Sequence, residues 1–397
     1  MSTEVDTQSA GEQLLDSLAD PGGQAVPDAQ AAKDIEALGE RFKAAASALR
    51  TMRFTGADGV QRSVHELPWY AVIGAPDSGN STALRNSGLR FPPLLEDGDP
   101  QVVGVGGTRY CEWWFSDEAV LLDTAGRYVA HEARGRSDVH AGTAAWHGFL
   151  ALLKRHRPQQ PLNGAIVTLS VTDLLLWSKA ERQHFSAHVR MRLAELYAGL
   201  DARFPVYLLV TKMDLLAGFA EFFENLDAHG RDQVWGTSFP LAADPVSVGK
   251  NYANDFEALQ NRLYAEMLAR IEAAGDLSAR AAIYRFPQQF HALGPLLVEF
   301  LTTAFSTLID HHPLMLRGVY FSSATQSGKP VDRVMRTLER AFKLKPRAVV
   351  APSEAGKSYF MSCLLREVIL PEAALAIAGE PAGRVSPPFQ PVSGSAG

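Results

Sequence analysis

An α/β fold, built on a mainly parallel sheet flanked by helices, is predicted by three observations. Short apolar runs alternate with stretches of helical periodicity, the runs end in loops rich in Gly, Asp and Thr, and an extended helical stretch interrupts the alternation once. Alternating strands and helices need a crossover between successive strands, and that crossover gives a parallel sheet covered on both faces. The candidate strands are 69–73, 110–115, 119–122, 165–171, 206–210 and 318–322. Helical patterns over 81–87, 141–153 and 179–200 lie between them. Strands 110–115 and 119–122 are separated only by Ser116, Asp117 and Glu118. They read as a hairpin, which places one antiparallel strand at the sheet edge.

The flanking segments follow from composition and period. Residues 1–30 are mostly small and acidic and are expected to be disordered. Residues 31–216 form the first part of the α/β domain, led by a helix with Ile35, Leu38, Phe42, Ala46 and Leu49 on one face. Residues 217–312 read as a helical insertion, with helices over 219–226, 254–272 and 295–309, and 313–330 return to the sheet. Residues 331–378 form a C-terminal helical segment, and 379–397, rich in Pro, Gly and Ser, a disordered tail. In the adjacent pair Trp113 and Trp114, one ring points inward and one outward, with the core as the expected place for the first.

The chain has 397 residues, 46% hydrophobic and 21% charged, with a net charge of −6. That balance is of an ordinary globular protein and gives no global signal for nucleic acid. Cys111 and Cys363 are far apart, lack metal-type spacing and are expected to be free thiols. No run approaches the roughly 18 apolar residues of a membrane span, and residues 1–28 lack the pattern of a secretory signal. A membrane role is expected to come from spans absent from this chain. The basic runs 154–157 and 343–347 read first as solvated surface, with acidic lipid headgroups as the rival reading.

Candidate chemistry begins after the first strand. Gly74-Ala75-Pro76-Asp77-Ser78-Gly79-Asn80-Ser81, followed by Thr82, fits the phosphate-loop pattern G-x-x-x-x-G-K-[ST] except at Asn80, which stands in place of lysine. Asp123-Thr124-Ala125-Gly126 matches D-x-x-G, whose Asp contacts Mg²⁺ and whose Gly faces the γ-phosphate. Thr108 lies where a switch threonine would complete a Mg²⁺ shell with Ser81 and Asp123. Thr211-Lys212-Met213-Asp214 matches [NT]-K-x-D, in which the carboxylate reads the two donors of guanine. Ser323-Ala324-Thr325 follows the last strand, where backbone amides would meet the guanine oxygen. Taken singly, each short match is also what a strand-ending turn looks like. Five in order, each after its strand, predict a P-loop GTPase-like fold with the site at the carboxyl edge of the sheet.

Three departures bear on activity. At ~4 Å and an effective dielectric of ~20, an ion pair is worth about 4 kcal/mol, so losing the lysine removes roughly two decades of affinity even after screening. Arg127 stands where many such hydrolases place a water-orienting Gln. Pro76 supplies no N–H and Asp77 adds negative charge beside the phosphates. The site is therefore expected to be vestigial, with no catalytic residue assigned. GTP or ATP with Mg²⁺ is the candidate cofactor if one binds. Residues 351–358 resemble a second phosphate loop, but Ala351 stands where its first Gly belongs.

The segments 66–74, 82–92, 104–128, 317–328 and 366–372 resemble the IcmF/TssM family of type VI secretion systems, and the resemblance covers roughly residues 36 to 375. It implies the cytoplasmic domain between the second and third membrane spans of an inner-membrane protein. Such a protein forms a complex with TssL-like and TssJ-like components and turns its cytoplasmic part to the baseplate. Some members carry the phosphate-loop lysine and others lack it, and Arg127 agrees with the family. The resulting expectation is a scaffold on the cytoplasmic side of the bacterial inner membrane. The alternative is a nucleotide-regulated switch controlling assembly or firing.

Overall fold

The structure, a computed structural model, describes residues 54–55, 61–62, 66–91, 104–105, 111–124, 126, 136–241, 247–305, 308–309, 312–324 and 358–378. The leading helix over 31–53, Thr108, Arg109, Arg127, Thr325, the segment 325–357 and both chain ends lie outside the described residues.

Eight strands form one sheet: β1 (Trp69–Gly74), β2 (Gly104–Val105), β3 (Cys111–Phe115), β4 (Val120–Thr124), β5 (Gly164–Ser170), β6 (Pro205–Thr211), β7 (Gly236–Ser238) and β8 (Met315–Phe321). Their order is β7-β8-β6-β5-β1-β4-β3-β2. The run from β8 through β4 is parallel. Antiparallel pairs close both flanks: β7 with β8, and the expected β3–β4 hairpin carrying β2 outside it.

Every residue of β1, β5 and β6 is buried, which explains why they read as continuous apolar runs rather than alternating ones. Alternation instead divides them between two cores. Trp69, Ala71, Ile73, Val167 and Leu208 face one layer, with Trp146, Phe149, Val189 and Leu193 from α2 (Arg136–His156) and α4 (Lys179–Leu200). Tyr70, Val72, Leu121, Ile166 and Tyr207 face the other, covered by Ala83 and Leu84 of α1 (Asn80–Arg85) and by Met361, Leu364, Leu365 and Ile369. Trp113 and Trp114 do point to opposite faces, yet both are buried because both faces are covered.

α3 (Val171–Leu176) follows β5 directly, and α4 begins at a reciprocal capping box. Ser178 N–H donates to Glu181 at 2.6 Å, and Glu181 N–H donates to Ser178 Oγ at 3.3 Å. Beyond β6 come α5 (Phe219–Phe223), α6 (Val248–Ala273), α7 (Leu277–His291) and α8 (Gly294–Phe305). They reach the sheet through a chain of rings: Phe256 stacks on Phe290 at 4.7 Å, and Phe290 meets Phe321 of β8 edge-to-face at 5.0 Å.

The last described segment is tied down by polar contacts. Arg317 of β8 grips Glu372 through two nitrogens at 2.6 and 2.9 Å, Tyr207 donates to the same carboxylate at 2.7 Å, and Tyr70 donates to the Ile369 carbonyl at 2.8 Å. Cys111 is buried, and both cysteines are free. Among the described residues no helix is long and apolar enough to cross a membrane.

Candidate functional site

The loop after β1 turns tightly. Ser78 N–H donates to the Ala75 carbonyl at 3.1 Å, and Asp77 and Gly79 take positive φ of 59° and 88°. Gly74 is required by close approach: a Cβ there would run into Thr168 Oγ1 and Ser78 Oγ. Gly126 presses on the same loop from β4's side, since a Cβ on it would meet the backbone of Pro76 and Ala75. The chain then enters α1 with Asn80 buried and Ser81 and Thr82 partly exposed.

Asn80 turns its side chain into the protein. Its Nδ2 donates to Asp123 Oδ1 at 3.1 Å, and its Oδ1 accepts from Ser78 Oγ at 2.8 Å and from Thr168 Oγ1. Ser81 Oγ donates to Asp123 Oδ2 at 2.7 Å. Thus both oxygens of Asp123, and the oxygen and nitrogen of the Asn80 carboxamide, each take part in the network. Burial pushes the Asp123 carboxyl up to about 6, against the pull of the Ser81 and Asn80 hydrogen bonds, and Glu112 raises it further from the facing position on β3.

The second half lies two strands away. Thr211 Oγ1 donates to the Ser78 carbonyl, which ties β6 to the loop after β1. Lys212 takes a left-handed turn at φ 59°. Met213 N–H donates to the Ser322 carbonyl at 3.2 Å, and Ser323 Oγ donates to Asp214 Oδ1. Ser323–Ala324 then pairs with Ser358–Tyr359. The structure thus gathers Gly74, Asp77, Ser78, Gly79, Asn80, Ser81, Asp123 and Gly126 around one loop, with Thr211, Lys212, Asp214, Ser323 and Ala324 joined to it through Thr211. Arg85, one turn into α1, does not reach back to the loop. Its guanidinium lies over the Trp114 ring at 5.6 Å and opposes Glu112.

Sequence reasoning missed two members. Thr168 bonds both Ser78 and Asn80, and its only trace was a polar residue inside an apolar strand. Asp173 in α3 has its carboxyl raised to about 6 by burial, opposed by Lys212 and helped by Asp77, so all three share one electrostatic neighbourhood. Among the described residues no three His, Cys, Asp or Glu side chains gather as a metal-binding group.

The fold and site define an α/β protein in which loops after β1, β4, β6 and β8 meet at the carboxyl edge of a mostly parallel sheet. Residues 140–385 match the IcmF-related N-terminal domain. Over 366 residues the chain is 41% identical to the type VI secretion system component TssM1 of Pseudomonas aeruginosa strain PAO1, an alignment that covers 91% of this chain. The chain belongs to the IcmF/TssM family, and it spans about a third (32%) of that relative's length.

Proposed function

We propose that this chain is a scaffold: a degenerate GTPase-like domain of a type VI secretion membrane-complex protein. It sits on the cytoplasmic side of the inner membrane and docks baseplate components and membrane partners of the TssL and TssJ kind. The relative's name supports the secretion assignment. The strand order supports the GTPase-like reading, because the chain leaves β1 for β4 on one side and then crosses to β5 on the other, which puts the loops at a switch point of the sheet.

The observation that carries the scaffold reading is the closed network around Asn80. Where a lysine would extend toward phosphate, the carboxamide points inward and bonds Asp123, Ser78 and Thr168. The Ser81 hydroxyl donates its proton to Asp123, which braces the start of α1 against β4. The exposed Asp77 adds a negative charge to the loop. An uncharged, inward-turned Asn80 beside the Asp77 carboxylate does not fit the phosphates of a Mg²⁺-nucleotide. A loop satisfied in this way holds its shape without a ligand, as a docking element requires.

The switch reading keeps one supporting observation: Asp214 is oriented by Ser323, as a base-reading carboxylate would be. The two readings separate in the full-length protein. Asp214→Asn and Ser81→Ala are expected to leave complex assembly and effector release at the level of the parent protein. Lost release from a variant present in the membrane at normal amount would transfer the role to nucleotide control.

A further inference from the structure

The edge of the sheet opposite the candidate site carries a charge pattern that the sequence keeps apart. The N-terminal ends of β1, β5, β6 and β8 lie there. α2 descends to this edge and ends in Lys154, Arg155 and His156, with Arg157 just beyond. Its position is fixed by Arg157, whose guanidinium lies 4.7 Å from the centre of the Trp69 ring at the start of β1. Arg203 reaches the same edge from the far side, in the short strand Ala202–Arg203 that precedes β6. Its register partner is Ile377, which is 62% exposed although apolar. The two sides are stitched together by Asn163, which donates to the Ala373 carbonyl at 3.1 Å and accepts from Trp69 N–H at 2.9 Å.

Lys154, Arg155, His156 and Arg203 are exposed there, beside exposed Glu66 and Asp201. The edge therefore clusters three exposed cations and the half-exposed Arg157 on a chain whose overall charge is −6, while Glu118 of the β3–β4 turn at this edge is paired with Arg366.

We infer that this edge rests on an anionic lipid surface. Basic side chains meet the headgroups, and Ile377 dips to the level of the interface. Clustered Lys and Arg next to an exposed apolar residue match such a surface in charge and polarity. In this orientation the candidate site points away from the bilayer, at the other end of strands roughly 20 Å long. The inference goes beyond the scaffold reading and depends on no nucleotide, so either can fail alone.

Co-sedimentation of the full chain with phosphatidylglycerol-containing vesicles tests it, with phosphatidylcholine vesicles and a duplex oligonucleotide as comparison arms. Partition onto the anionic vesicles is expected, weakening as salt rises. Each basic residue at a lipid surface contributes about five-fold. The triple variant Lys154→Gln, Arg155→Gln, Arg203→Gln is therefore expected to lose about 100-fold in partition while keeping the circular dichroism of the parent. A control with Lys179→Gln, Lys250→Gln and Arg262→Gln, exposed elsewhere, is expected to bind as the parent does. No partition onto anionic vesicles, equal loss in both triple variants, or binding to the oligonucleotide alone would overturn the inference.

Discussion

Asp123→Asn tests the electrostatics of the loop network. The carboxyl is 4% exposed and is raised from 3.8 to about 6. Because the folded state holds this proton more tightly than the unfolded chain, the proton stabilises the fold. That contribution is complete below about pH 4, is lost as pH rises through about 6, and is absent near pH 8. Its size is roughly 3 kcal/mol, at about 1.4 kcal/mol for each pH unit of displacement. The carboxamide introduced by Asp123→Asn does not titrate, yet it can still accept from Asn80 and donate to Ser81. The variant is therefore expected to match the parent near pH 4 and to exceed its stability by up to about 3 kcal/mol near pH 8. Urea unfolding of both proteins at the two pH values reads this difference directly. A constant difference across pH, or a variant less stable than the parent at high pH, would refute the reasoning.

Two further substitutions probe the frame around the site. Gly74→Ala drives a Cβ into Thr168 and Ser78 and is expected to cost about 1–3 kcal/mol in thermal unfolding, with part of the loss recovered when Thr168→Ala is added. Glu372→Gln weakens the two-point grip of Arg317 and the bond from Tyr207. It is expected to cost about 2–3 kcal/mol, below the figure for a fully buried pair because Glu372 keeps some exposure. It is also expected to speed proteolysis at 364–378.

Much of the sheet was legible because its strands are apolar runs closed by turn chemistry. The expected runs correspond to β1, β3, β4, β5, β6 and β8, and the helix over 179–200 is bounded by the capping box at one end and a left-handed Asp201 at the other. α7 was missed because Pro287 lies inside it. The helix continues through that residue because Ile283, Phe286 and Phe290 bury one face against α5, α6 and the sheet. β7 was missed because Gly236, Thr237 and Ser238 carry no apolar signal and are held by backbone pairing to β8. At the site, local motifs located the loops but not their cross-links. That Asn80 faces inward depends on Thr168 and Asp123, which lie 88 and 43 residues away in sequence. No motif encodes that distance.

Calorimetric titration of the chain with GTP, and separately with ATP, in Mg²⁺ tests the central claim most directly, with Asp214→Asn as the control for base reading. The closed Asn80 network predicts no heat of binding at high-micromolar protein. Micromolar GTP binding that Asp214→Asn weakens would contradict it and make the site a working switch.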